Sequence, residues 1–176
     1  PLSARILPEQ GAASCEPLGP NNTLVTAPRV LSTTAAPTSG RLSVGAESPK
    51  TRGIKEANVG GNPGQHLMKL GYRAIVVRGQ PADTERRYGL EILPGGVSIV
   101  PADDYRGLWN YACCEKLLAN YEKTASAISI GPAGELKLAG ASVACTDQSK
   151  QRHPARHAAR GGPDRKSTRL NSSHTH

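Results

Sequence analysis

Apolar residues fall along the chain in short alternating or continuous runs separated by turn-forming residues, a pattern that predicts strands more often than helices. PLGPNNTLVTA, residues 17–27, reads as a proline and asparagine turn feeding a strand at Leu24 to Ala27. A second strand is predicted at Arg41 to Ala46, where Leu42, Val44 and Ala46 alternate with Ser43 and Gly45. A glycine-rich loop from Asn58 to Gly64 leads into a short helix through Gln65, His66, Leu67, Met68 and Leu70, and Gly71 stops it. Ala74 to Val77 is a continuous apolar run, as expected of a strand covered on both faces.

Tyr88 to Val100 has the form of a hairpin, two alternating arms about Pro94, Gly95 and Gly96. Leu108, Tyr111, Cys114, Leu118 and Tyr121 recur at spacings of three and four, which predicts an amphipathic helix over 108–121 with these residues facing a sheet. Strands at Ala125 to Ile130 and Ala141 to Cys145 follow, separated by a turn, GPAGE, at Gly131 to Glu135. Strands dominate and do not alternate regularly with helices, so the expected class is α+β rather than a doubly wound parallel sheet. No internal repeat is visible.

Composition sharpens this picture. A chain of 176 residues with 37% hydrophobic content fits one domain. Phenylalanine is absent and aromatics make up 3%, so the core must rely on Val, Ile, Leu and Ala. No stretch approaches the ~20 continuous apolar residues of a membrane span. The opening residues lack the charged-then-apolar order of a secretory signal, and a cytoplasmic protein is expected. Cys15, Cys113, Cys114 and Cys145 form neither Cys-x-x-Cys pairs nor a zinc-like set, and read as thiols in a reducing compartment.

The net charge of +8 would suggest a nucleic-acid partner, but its distribution argues otherwise. Residues from Lys150 onward carry seven Lys or Arg against Asp164 alone, a balance of +6, which leaves the body nearly neutral. PDRKSTRLNSSHTH, residues 163–176, has no apolar periodicity and too little apolar surface to offset the entropy of ordering. It breaks abruptly from the Gly-rich run before it and resembles translated linker sequence, so it is expected to be a disordered, non-native tail behind a domain over 1–162.

Three places hold residues that serve poorly as core and well as a cradle for a phosphorylated cofactor. Arg41, at the start of a strand among small neighbours, could fork onto a phosphate or a ring carbonyl. In KEANVGG, residues 55–61, Asn58, Gly60 and Gly61 can expose backbone N–H groups ahead of a helix. In RHAARGG, residues 156–162, small residues interleave with Arg156, His157 and Arg160. Taken singly, each has a plainer reading: a solvated arginine, an ordinary turn, a basic segment. No Ser/His/Asp grouping or metal-binding histidine pair emerges, and His66 alone is more often core or surface than a base. By its own residues the chain is expected to bind rather than to catalyse.

Taken in order, PLGPNN, APTSGRLSV, ESPKTRGIKEANVGG, LGYRAIVVRG, SIGPAGE and ARGG resemble the amino-terminal domain of the tungsten aldehyde ferredoxin oxidoreductase family. The resemblance implies an α+β domain of two β-sheets around a pseudo-twofold axis, forming a base for a tungsten or molybdenum bis-pterin cofactor. Pterin contacts then fall on Arg41, Asn58 and Gly60 and on Arg156, His157 and Ala159, with Gly61 and Arg160 as neighbours. Where the family has Ala-Ala-Gly before Arg-Gly-Gly, this chain has His157, Ala158 and Ala159. The resemblance further implies an intact parent that oxidises aldehydes to carboxylic acids and passes electrons through a 4Fe–4S cluster to ferredoxin. The cluster ligands, the family's opening strand and glycine-rich turn, and the continuation beyond Gly162 would all lie outside this sequence, and the isolated chain would not turn over. Whether the parent is a homodimer stays open. A non-catalytic scaffold of the same fold, and a small basic nucleic-acid-binding protein, are the rival readings.

Overall fold

The computed structural model describes residues 2–9, 15–30, 32, 40–121, 125–147 and 170–174. Its elements run α1 (Leu2–Glu9), β1 (Leu24–Pro28), β2 (Leu42–Ser48), β3 (Gly53–Val59), α2 (Pro63–Lys69), β4 (Ile75–Val77), β5 (Tyr88–Leu93), β6 (Gly96–Pro101), α3 (Asn110–Ala119), β7 (Ser126–Ser129), α4 (Gly131–Glu135), β8 (Ala144–Cys145) and β9 (Leu170–His174). Strands gather into a four-stranded sheet of order β3-β2-β1-β4 and a five-stranded sheet of order β6-β5-β9-β7-β8. Every pairing is antiparallel except β5 with β9. The class is α+β.

Alternation along β2 decides how the first sheet packs. Leu42, Val44 and Ala46 point into a core shared with Leu67 of α2 and with Ile92, Ile128, Val143 and Cys145 of the second sheet, so one apolar layer joins the two sheets. Ser43, Gly45 and Glu47 face the other way, toward α1. There Leu7 and Val25, both 0% exposed, pack with Ile6 and Ile54. A Cβ on Gly45 would sit 2.7 Å from Leu7 Cδ1, so any larger residue there would have to push the Leu7 side chain aside.

Polar ties fix the remaining pieces. Asn22, 1% exposed, donates from Nδ2 to the Pro17 and Glu47 carbonyls (2.7 and 3.0 Å) and accepts the Glu47 N–H at 3.1 Å, clamping the PLGPNN turn to β2. His66 Nδ1 lies 2.9 Å from Ser126 Oγ and joins α2 to β7 inside the core, a structural role for a lone histidine. Tyr121 donates to Glu91 Oε1 at 2.6 Å, fastening the end of α3 to β5.

Several expectations need correction. Of the loop expected over Asn58 to Gly64, Asn58 and Val59 end β3, which pairs residue for residue with β2, and Pro63 and Gly64 begin α2; only residues 60–62 turn between them. β4 is an edge strand with Val76 42% exposed, not a strand covered on both faces. In α3 the buried set is Cys113, Cys114, Leu117 and Leu118, and Tyr111 is 59% exposed, so the apolar face is rotated from the one predicted. GPAGE forms a helical turn, α4. Residues 170–174 form β9, which bridges β5 and β7. Among the described residues, no helix is long and apolar enough to cross a membrane.

Candidate functional site

One end of the first sheet gathers the start of β2, the end of β3 and the start of α2. Arg41 immediately precedes β2, and one step into the strand Ser43 stands opposite Asn58 in register. Residues opposite each other in a sheet share a face, so Ser43 and Asn58 both lie on the α1 side, and alternation from Ser43 puts Arg41 there too. The Ser3 and Ser43 hydroxyls are hydrogen-bonded, which brings the start of α1 to the same corner. The Arg41 carbonyl is held by the Arg29 N–H at 3.0 Å and by Ser32 Oγ at 3.2 Å, fixing its backbone while the side chain stays exposed.

Gly60 and Gly61 carry the chain from β3 into α2. Around Gly60 there is open space: among the described residues, nothing lies within 4 Å of where a Cβ would stand. Gly61 is the opposite case. Its φ is +110°, and a Cβ would run into the Thr146 carbonyl, so both conformation and space demand glycine. Thr146 accepts the Asn62 N–H at 3.2 Å, donates its own N–H to Ala127 at 3.0 Å and accepts the Ala127 N–H on Oγ1 at 3.1 Å. The glycine turn is therefore fastened to the second sheet, which makes this corner a rigid shelf.

Asn58 carries the clearest chemical signal. Its Nδ2 points to Glu56 Oε1 at 3.4 Å, and the carboxylate fixes which end of the amide is nitrogen. The other end, Oδ1, is buried with no hydrogen-bond partner, one of two such side-chain atoms among the described residues. Leaving a buried acceptor unmade costs about 1–3 kcal/mol, so the arrangement suits a donor supplied from outside the chain. No carboxylate pairs with Arg41 among the described residues, leaving its guanidinium available to an anion or a ring carbonyl. An amide acceptor, a guanidinium and a bare glycine backbone on one corner suit a flat heterocycle with N–H edges and an anionic substituent. A pterin carrying phosphate has that chemistry, and the residues present fit it.

Of the residues singled out from sequence, Arg41, Asn58, Gly60 and Gly61 come together here. Arg156, His157, Ala159 and Arg160 lie outside the described residues. Glu56 and the Ser3–Ser43 pair escaped sequence reasoning because they matter only through the β2–β3 register and the seat of α1. No group of three or more His, Cys, Asp or Glu among the described residues could hold a metal ion. None of the four cysteines takes part in a disulfide among the described residues. Burial pushes Cys113 up to about 12, helped by neighbouring Cys114, and pushes Cys114 up to about 11. Burial also raises Cys145. All three stay protonated at neutral pH and are poor nucleophiles.

The aldehyde ferredoxin oxidoreductase N-terminal domain family matches residues 1–164. The chain belongs to that family. It is 37% identical over 138 residues to the tungsten-containing aldehyde ferredoxin oxidoreductase of Thermococcus kodakarensis, covering 76% of this chain and 22% of that protein. The protein of the same name from Pyrococcus furiosus is 34% identical over 138 residues, with the same coverage. Among solved structures, the active site complex BamBC of benzoyl coenzyme A reductase, in complex with 1,5-dienoyl-CoA, superimposes with a TM-score of 0.85 at 26% identity. It covers 99% of this chain and 26% of that one. The chain spans about a fifth of the length of the curated relatives it matches.

Proposed function

We propose that this chain is the pterin-cradling part of a larger oxidoreductase that holds a tungsten or molybdenum bis-pterin cofactor and oxidises aldehydes to carboxylic acids, with ferredoxin or a ferredoxin-like subunit as electron acceptor. The observation that carries the reading is the buried, partnerless Asn58 Oδ1 beside Arg41 and the glycine turn. When bound, such a cofactor supplies the two-electron redox chemistry. The chain's own residues do the positioning. Asn58 accepts a ring N–H, Arg41 neutralises phosphate or pairs with a carbonyl, and the shelf at Gly60 lets the ligand reach the backbone. On this reading Arg156, His157, Ala159 and Arg160 belong to the same cradle. The 4Fe–4S cluster and the substrate pocket belong to the rest of the parent, a cytoplasmic enzyme, and residues 1–162 form the native part of this chain.

A second reading has a specific observation behind it: the structural match to a benzoyl coenzyme A reductase complex covers almost the whole chain. The parent would then run toward reduction of an activated acid. Assaying the purified parent separates the two. Aldehyde-dependent reduction of ferredoxin or a viologen dye supports the first reading, whereas activity only with an acyl-CoA and a reductant supports the second. A parent without tungsten, molybdenum or pterin contradicts both.

A further inference from the structure

Glu56 and Asn58 stand two residues apart on β3 and therefore project from the same face of the sheet. Across the ladder, Glu56 lies opposite Gly45, which brings no side chain, and Asn58 lies opposite Ser43, whose hydroxyl is hydrogen-bonded to Ser3. Among the described residues no Lys or Arg pairs with Glu56, and the Asn58 amide is the group its carboxylate bonds. That bond is long, 3.4 Å from Asn58 Nδ2 to Glu56 Oε1, but the reverse arrangement is worse. A carboxylate only accepts, so turning the amide over would set Asn58 Oδ1 against Glu56 Oε1, oxygen facing oxygen. The amide is thus held with Nδ2 toward Glu56 and with its buried, partnerless Oδ1 turned away.

Resting on the pterin reading proposed above, we infer that Glu56 is a positioning residue that sets which edge of the cofactor this corner accepts. By holding the Asn58 amide one way round, it makes the corner an acceptor and selects the N–H edge of a heterocycle over its carbonyl edge. An Asn without such a neighbour can turn over and offer donor or acceptor alike, and would discriminate less between the two edges. Glu56 acts through Asn58 and not through contact with the ligand. The orphaned Oδ1 is the consequence in the empty fold: the carboxylate prevents the amide from satisfying that oxygen within the chain and leaves it for a donor from outside.

The rate at which pterin is lost from the purified full-length parent on dialysis tests the inference, in variants whose circular dichroism matches the wild type. Glu56→Lys sets a donor beside Asn58, which draws Oδ1 inward and turns Nδ2 toward the ligand; loss is expected to be roughly tenfold faster, the worth of one hydrogen bond to a charged group. The added positive charge alone would hold an anionic cofactor more tightly, so faster loss reports the amide and not the charge. Combining Glu56→Lys with Asn58→Asp should restore most of the retention, because a carboxylate at 58 keeps an oxygen outward whichever way it turns. Glu56→Gln, of the same size, serves if Glu56→Lys does not fold: both amide orientations are then open, half the population is competent, and retention should weaken roughly twofold. Unchanged retention in folded Glu56→Lys, or in Glu56→Gln where the lysine is not tolerated, would overturn the inference and leave the pterin reading standing. Loss that Asn58→Asp does not restore would also overturn it, since Glu56 would then act on the fold alone. A wild-type parent without pterin would overturn the pterin reading and the inference with it.

Discussion

Gly61 is the residue where conformation and space make the same demand. A side chain there meets the Thr146 carbonyl in a backbone conformation that L-residues rarely adopt. Gly61→Ala is expected to destabilise the domain by at least about 1–3 kcal/mol, the usual range for such strain, measured by urea unfolding. Stability unchanged within error would mean that the turn relaxes freely. The buried thiols make a separate prediction. Cys113 rises from 9.0 to about 12 and Cys114 to about 11 in the fold, so between pH 9.0 and those values the unfolded chain has lost protons that the native chain keeps. Stability therefore falls as pH rises through that window and is insensitive to these groups below it. Native Cys113, Cys114 and Cys145 should resist iodoacetamide at neutral pH and react on unfolding; rapid native alkylation would contradict their burial.

At the level of elements, the five-stranded sheet depends on β9, which alone joins the β5–β6 hairpin to β7 and β8. Ending the chain at residue 164 removes that bridge, and amides of Tyr88–Leu93 should then lose hydrogen-exchange protection while those of Leu42–Ser48 keep theirs. Equal protection in both lengths would show that the hairpin holds its place through side-chain packing alone. The elements legible in the sequence are those whose signal is local: the alternation of β2, the Pro-Gly-Gly hairpin and the glycine-stopped helix α2. β3 was illegible because GIKEANV is half-exposed and polar, and becomes a strand only through its register with β2. α1 was missed because it is short, carries Pro8, and owes its place to Leu7 resting on Gly45, a contact distant in sequence. The helix over 108–121 was found, but spacings of three and four fit two neighbouring faces, and only packing chose Cys113 and Leu117 over Tyr111.

For the whole molecule, half of the proposed cradle is explained by geometry and half by a motif. Arg41, Asn58, Gly60 and Gly61 were legible as candidates because such residues are poor core material, yet that they share a corner follows only from the β2–β3 pairing. The missing partner of Asn58 Oδ1 could not be read from sequence at all, since it depends on burial and on Glu56 orienting the amide. Tungsten, molybdenum and pterin content of the full-length parent, measured for the wild type, Arg41→Ala and Asn58→Leu, tests the central claim most directly. The account predicts a wild type that carries metal and pterin, and variants that fold with the same circular dichroism but retain much less of both. Folded variants that keep the full wild-type content would contradict it.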